Sequence, residues 1–459
     1  MRNLSHCKHS RISAVSVALV LIATVQLPNF AGLPTPVRKP IPAPTFDPLY
    51  RLEQQGQGGK PKVYFGERDA WVAKYQVGSS GGRKLLWKKQ LGTSGFDQSN
   101  GIARDRNGNV FITGVTNGVL GNTSQGFYDA WLSKYNPDGT LAWIQQLGTP
   151  KYDESNGVAT DSDGNVFITG VTVGSLGGTS QGIEDAWLAK YSANGTLIWK
   201  RQLGTSRDDY SRGVATDRNG NVFISGTTNG TLGGTHKGFE DAWLAKYGPD
   251  GNLKWKRQLG TSAGDVSSAV ATDSSGNVFI TGLTGGDLGG TNKGFYDAWV
   301  AKYGPNGTLA WTKLIGTSDF DRSFGIATDL KGNVLITGVT SGSLGGPNKG
   351  SYDAWVAEYN SNGILKWKRQ LGTSSGESTR DVATDRNGNV FITGLTDGSL
   401  GGTNKGGADA WAVKLDPQGK QLWQVQDGTK KDDIATGIAV DSSVYVIITG
   451  YTDGNFARD

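Results

Sequence analysis

Residues 157–204 read GVATDSDGNVFITGVTVGSLGGTSQGIEDAWLAKYSANGTLIWKRQLG. Four runs rich in Val, Ile, Phe, Tyr, Trp and Thr stand out: GVATD, NVFITG, DAWLAKY and LIWKRQL. Gly, Asn and Asp separate them, and no run shows a helical period. Short β-branched and aromatic runs punctuated by turn formers predict strands joined by tight turns. We label the four runs A to D in that order.

Reading outward, the same grammar recurs along the chain. Asp-Ala-Trp occurs with its tryptophan at Trp71, Trp131, Trp187, Trp243, Trp299, Trp355 and Trp411. A second tryptophan recurs at Trp87, Trp143, Trp199, Trp255, Trp311, Trp367 and Trp423, and the two series account for all 14 tryptophans. After a first spacing of 60 the period is a constant 56 residues, the extra length falling around Gly78 to Lys84. Four antiparallel strands per period predict a propeller blade, and the period is long for a solenoid coil. The first copy begins at strand C with Asp69 and the last stops after strand B at Gly450. The ends therefore complement each other. The expectation is an all-β, seven-bladed β-propeller of four-stranded antiparallel blades over residues 63–459, closed by pairing N-terminal strands C and D with C-terminal strands A and B.

Glycines at the A–B and C–D turns, such as Asp163-Gly164, Asn219-Gly220 and Asp250-Gly251, supply the positive φ of tight hairpins. The last A–B turn departs, with Val444 and Tyr445 where other copies have Gly and Asn. The tryptophans are large enough to fill the space between blades, each burying about 150–250 Å². Strand D carries Lys200-Arg201, Lys256-Arg257 and Lys368-Arg369, which read as a solvated, aggregation-resistant edge rather than as a stripe for anionic surfaces.

Before the repeats, Arg2, Lys8 and Arg11 precede an apolar run from Ala14 to Val25. This pattern predicts a signal peptide over residues 1–31 and a secreted, periplasmic or cell-surface protein. The run is short for a spanning helix, so no stable membrane span is expected after cleavage. Residues 32–62, with Pro34, Pro36, Pro40, Pro42, Pro44, Pro48 and Pro61, read as a linker. The net charge is +5, and three of those charges lie in the leader. The remaining basic residues recur once per repeat instead of clustering, which argues against a nucleic-acid partner. The single cysteine, Cys7, and two of the three histidines, His6 and His9, also lie in the leader. Past it no disulfide or thiol nucleophile remains. A monomer is expected.

The pattern D-A-W-x-x-K-Y…N-G-x-L-x-W-x-x-Q-L-G-T…D…V-A-T-D-x-x-G-N-V-F-I-T-G resembles the bacterial β-propeller repeat family called SBBP, found in secreted and surface proteins, over residues 63–459. The family is named for its architecture, so the resemblance implies the fold and no shared activity.

The D–A and B–C loops are expected on one face, the A–B and C–D turns on the other. The longer, more variable loops make the first face the candidate binding surface. Phe127, Tyr128, Phe239, Phe295, Tyr296 and Tyr352, just before Asp-Ala-Trp, are the candidate binding residues for a protein or glycan ligand. Their alternative role is loop packing. Two acidic series sit on the same face: Asp97, Asp153, Asp209, Asp265, Asp321, Glu377 and Asp433, and the aspartates of Asp-Ala-Trp from Asp69 to Asp409. They are candidates for Ca²⁺, but strict recurrence favours a turn-holding role. The stretch Asp161–Asn165 reads as a hairpin turn rather than a calcium loop. No cofactor is expected. His236 stands in one B–C loop without an evident nucleophile partner, and no catalytic motif appears. The competing reading is a quinone-dependent propeller dehydrogenase, because the run Ala189–Trp199 is similar to the tryptophan-docking repeat of those enzymes.

Overall fold

The computed structural model describes residues 66–78, 83–121, 123–441 and 445–456. The expected signal peptide and linker lie outside the described residues, as does the turn at 442–444. Every described element is a strand, β1 to β28 in chain order, arranged as seven four-stranded antiparallel sheets. In the first complete blade these are β3 (Asp97–Arg104), β4 (Val110–Thr116), β5 (Asp129–Tyr135) and β6 (Leu141–Leu147), corresponding to strands A to D. Strand A of each blade packs against strand A of the next, and this neighbour series closes into a ring. Strand A is therefore innermost and lines a channel.

The ring closes through the chain ends. Strand β1 (Asp69–Val77) pairs antiparallel with β28 (Tyr445–Thr452), giving a composite blade in the order β2 (Arg83–Leu91), β1, β28, β27 (Asp433–Asp441). Trp71 of the first strand and Ile438, Val446, Ile448 and Phe456 of the C-terminal segment share one buried cluster, with the Trp71 and Phe456 rings 4.5 Å apart. Arg68 also reaches Asp453 at 2.8 Å. Apolar burial and strand pairing together fasten the two ends.

Strand A is longer than its apolar signature. The sequence places its start at Gly157, whereas the strand runs from Asp153 to Thr160 with a bulge between Ser155 and Gly157. The preceding residues are polar because alternate positions face the channel while Asp153 and Ser155 are buried in hydrogen bonds. A polar half-strand of this kind carries no hydrophobic period.

Packing between blades uses both tryptophan series. Trp187 of one blade is 1% exposed and packs with Phe111 and Leu132 of the preceding blade. The second series reaches in the other direction. Trp199 Nε1 donates to Pro249 O of the next C–D turn at 3.2 Å, and Lys190 Nζ donates to the same carbonyl at 3.3 Å. Gly251 in that turn has φ 77°, and a Cβ there would sit 2.8 Å from the Trp199 ring, so glycine meets two demands at once. Arg201 Nε donates to Gly251 O at 2.9 Å. The arginine of the strand-D basic pair thus clasps the neighbouring blade. The Ala189–Trp199 run is accounted for by docking between blades.

Candidate functional site

The two acidic series hold loops. Asp97 Oδ2 accepts from the Thr93 N–H at 2.5 Å and hydroxyl at 2.8 Å, and its Oδ1 accepts from Thr116 Oγ1 at 2.5 Å. Glu377 makes the same set of contacts with Thr373 and Thr396. These bonds pull the Asp97 carboxyl down, but its burial outweighs them and leaves it above its ordinary value. In the second series Asp129 Oδ2 accepts from Gln146 Nε2 at 2.7 Å and from the Gln125 N–H at 2.7 Å, while Gln146 Oε1 takes the Leu120 N–H at 3.0 Å. The Gln–Asp pair therefore latches both ends of the B–C loop. Leu314 stands where the other blades carry this glutamine, and the loop of that blade alone has a described glycine at positive φ, Gly289 at 92°. Among the described residues no cluster of three or more His, Cys, Asp or Glu is placed to hold a metal. Asp161 Oδ1 accepts from the N–H groups of Asp163 and Asn165, forming the expected turn. His236 Nδ1 lies 3.5 Å from Asp241 Oδ2, a neighbour its sequence context did not announce.

The six candidate binding residues fall into two layers. Phe127, Phe239 and Phe295 occupy equivalent outer tips and are 62%, 82% and 55% exposed. Ile183, which the sequence reading passed over, holds the same position and is 70% exposed. These four tips belong to consecutive blades and form one arc, while the other three copies carry Glu67, Ser351 and Gly407. Tyr128, Tyr296 and Tyr352 form the inner layer. Tyr128 packs against Phe127 at 5.6 Å, Phe96 at 6.0 Å and Tyr152 at 5.6 Å. Tyr296 packs with Phe295 at 5.1 Å and Phe320 at 6.2 Å, and Phe320 with Tyr352 at 6.4 Å. Backbone bonds fix this layer to the next blade: the Asp153 N–H donates to Tyr128 O and the Asp321 N–H to Tyr296 O, both at 2.9 Å. Phe96, Tyr152 and Phe320 immediately precede strand A, and only the ring geometry brings them to the rim.

Below the rim the copies differ at the second and fourth residues of strand A. The second residues are Gln98, Glu154, Tyr210, Val266, Arg322, Ser378 and Ile434; the fourth are Asn100, Asn156, Arg212, Ser268, Phe324, Arg380 and Thr436. Glu154 accepts from Tyr152 Oη at 2.7 Å and Asn100 Nδ2 at 2.8 Å, and burial nevertheless pushes its carboxyl up. Burial, with the charges of Arg212 and Arg380, pushes the Arg322 guanidinium down to about 9. Asp381 replaces the small residue of the other copies; burial raises it to about 7 even though its Oδ2 accepts the Ile438 N–H at 2.9 Å. The opposite mouth is more uniform. Thr216, Thr272, Thr328 and Thr384 each donate to the preceding blade's strand A at 2.7–2.9 Å, around a cavity of about 310 Å³.

The fold and its channel thus define a seven-bladed β-propeller whose copies diverge at one mouth and in the channel beneath it. The SBBP β-propeller repeat profile matches residues 86–121, 142–177, 198–234, 254–289, 310–345 and 366–401, each running from strand D through the following strand B. The chain thus carries six matched copies of this β-propeller repeat, and β26 (Gln421–Asp427), β27 and β28 form a seventh unit of the same order that the profile does not match. An uncharacterized WD repeat-containing protein of Acanthamoeba polyphaga mimivirus is 22% identical over 80% of this chain and 36% of its own length. The regulatory protein FlaEY of Caulobacter vibrioides is 25% identical over 34% of this chain and 18% of its own. The chain therefore spans little more than a third of the first curated relative and less than a fifth of the second. Among solved structures, the periplasmic gluconolactonase of Pseudomonas aeruginosa is 13% identical, covering 80% of this chain and 98% of its own, with a TM-score of 0.45. The lactonase activity is that protein's own.

Proposed function

We propose that this propeller is a non-catalytic, secreted or surface-associated scaffold that binds a protein partner through the face carrying its B–C and D–A loops. The observation behind this reading is the arc of Phe127, Ile183, Phe239 and Phe295 on consecutive blades, all more than half exposed. Contiguous exposed apolar side chains rimmed by polar groups mark interaction surfaces. Large aromatics seated on rigid elements are the residue types that dominate interface energetics. Ile183 has no ring to stack on a sugar, which favours protein over glycan. The tyrosines of the inner layer support the arc from below, because their backbone is tied to the neighbouring blade.

The test is retention of the purified propeller on immobilised cell-surface protein and glycan fractions. Replacing Phe127, Phe239 and Phe295 together by Ala should reduce retention at least tenfold, since hot-spot truncations cost about 2 kcal/mol or more each. The melting temperature should change little, as exposed tips contribute little to folding. Retention on protein fractions that survives the triple substitution, or retention on glycans alone, would contradict the reading.

A further inference from the structure

Arg212, Arg322 and Arg380 come from strands A of three blades and enter the same channel. Arg322 is the second residue of β19 (Asp321–Thr328); Arg212 and Arg380 are the fourth residues of β11 (Asp209–Thr216) and β23 (Glu377–Thr384). The guanidinium carbons of Arg322 and Arg380 stand 4.5 and 4.9 Å from the centre of the Phe324 ring, so one aromatic side chain carries both cations. All three arginines are half-buried. Among the described residues no carboxylate lies within 4.0 Å of any of them, and Nε of Arg212 and of Arg322 has no hydrogen-bond partner.

The channel acids are occupied elsewhere. Glu154 is held by Tyr152 and Asn100, and Asp381 accepts the N–H groups of Val382 and Ile438. Glu154 acts on Arg212, and Glu240 on Arg322, only from beyond salt-bridge range. Like charges gathered in a confined space without a counter-ion in contact are costly, and a cation–π contact offsets that only in part, at about 0.5–2 kcal/mol. Guanidinium groups present planar forks that match the oxygens of a carboxylate or phosphate.

We propose that Arg212, Arg322 and Arg380 form an oxyanion-binding site in the propeller channel, taking the carboxylate or phosphate group of a small ligand. The site is independent of the outer arc and stands or falls without it. Phe324 carries two of the arginines, and with no carboxylate in contact the terminal guanidinium N–H groups are the donors left for the anion.

Isothermal titration of the full chain with inorganic phosphate and, separately, with glucuronate, in chloride buffer at fixed ionic strength, tests this. One saturable site is expected for at least one of the two anions, and the anion that binds identifies the group the site takes. Arg322→Gln and Arg380→Gln should each weaken it at least about tenfold, the loss of one charge-assisted contact. Lys200→Gln on the outer strand should leave it unchanged. Without oxyanion, Arg322→Gln should melt no lower than the native protein, because it removes an uncompensated charge; a purely structural arginine would lower the melt. If Arg322→Gln does not fold, Arg380→Gln and the native titration decide. No saturable binding of either anion, or equal binding by the arginine variants, overturns the proposal.

Discussion

A chain ending at Asp432, lacking β27 and β28, should lose cooperative unfolding and aggregate, while the full chain melts in one transition. The removed segment carries Ile438, Val446, Ile447, Ile448 and Phe456, all buried. At about 1.5–3 kcal/mol for each large side chain, their burial is worth about as much as the whole net stability of a typical domain, ~5–15 kcal/mol. The truncation also strips the inner partner from β1, which keeps β2 on one side but is left with an unpaired edge, although its residues are almost all buried in the ring. Such an edge invites pairing with other chains. Hydrogen bonds follow the same seam: Thr449 Oγ1 donates to Trp71 O at 2.7 Å and lies 2.8 Å from Ser99 Oγ of the first complete blade. Calorimetry of both chains checks this, and a truncated protein with the melting profile of the full one would refute it.

Gly282→Ala should destabilise the protein by about 4 kcal/mol or more, in the range reserved for named structural defects. Gly282 lies in strand B opposite the bulge of strand A, where Ser267 pairs with it. A Cβ at this position would stand 1.8 Å from Val266 O and 2.8 Å from Val266 C. These are backbone atoms of the innermost strand, itself pressed against the next blade, so they have nowhere to move. Gly264, at the D–A junction of the same blade, has open space around its Cβ position. Gly264→Ala should shift stability by less than about 0.5 kcal/mol. Chemical denaturation of the pair separates the two cases. Equal effects would mean that the bulge does not crowd strand B.

The sequence period carried the architecture because each blade must bury the same two faces, so its apolar and turn residues recur. The closure was legible for the same reason: Asp69 opens on strand C and Gly450 ends strand B. The first half of strand A was not legible, since Asp153 to Asn156 are polar where they meet the channel and its hydrogen bonds. The glycine of strand B was conspicuous as a letter, but its cause, the carbonyl of a bulged neighbour, is a contact across strands. The binding face shows the same division. Phe127, Phe239 and Phe295 stood out as variable aromatics, whereas Ile183 did not, although exposure and position place it with them. Arg212, Arg322 and Arg380 share no motif in the sequence. They belong together only once strands A of different blades share an axis.

Closure by the chain ends can be measured directly by a cross-link. Gln76 of β1 and Tyr445 of β28 are Cα partners across the seam. Cα atoms of directly paired strand residues lie about 4.5–5.5 Å apart, within disulfide range. In a Cys7→Ser background, a chain carrying Gln76→Cys and Tyr445→Cys should form an intramolecular disulfide on mild oxidation. The closed loop should make it run faster on a non-reducing denaturing gel, and reductant should restore the native mobility. A chain that stays unlinked, or links only to other chains, would contradict the ring.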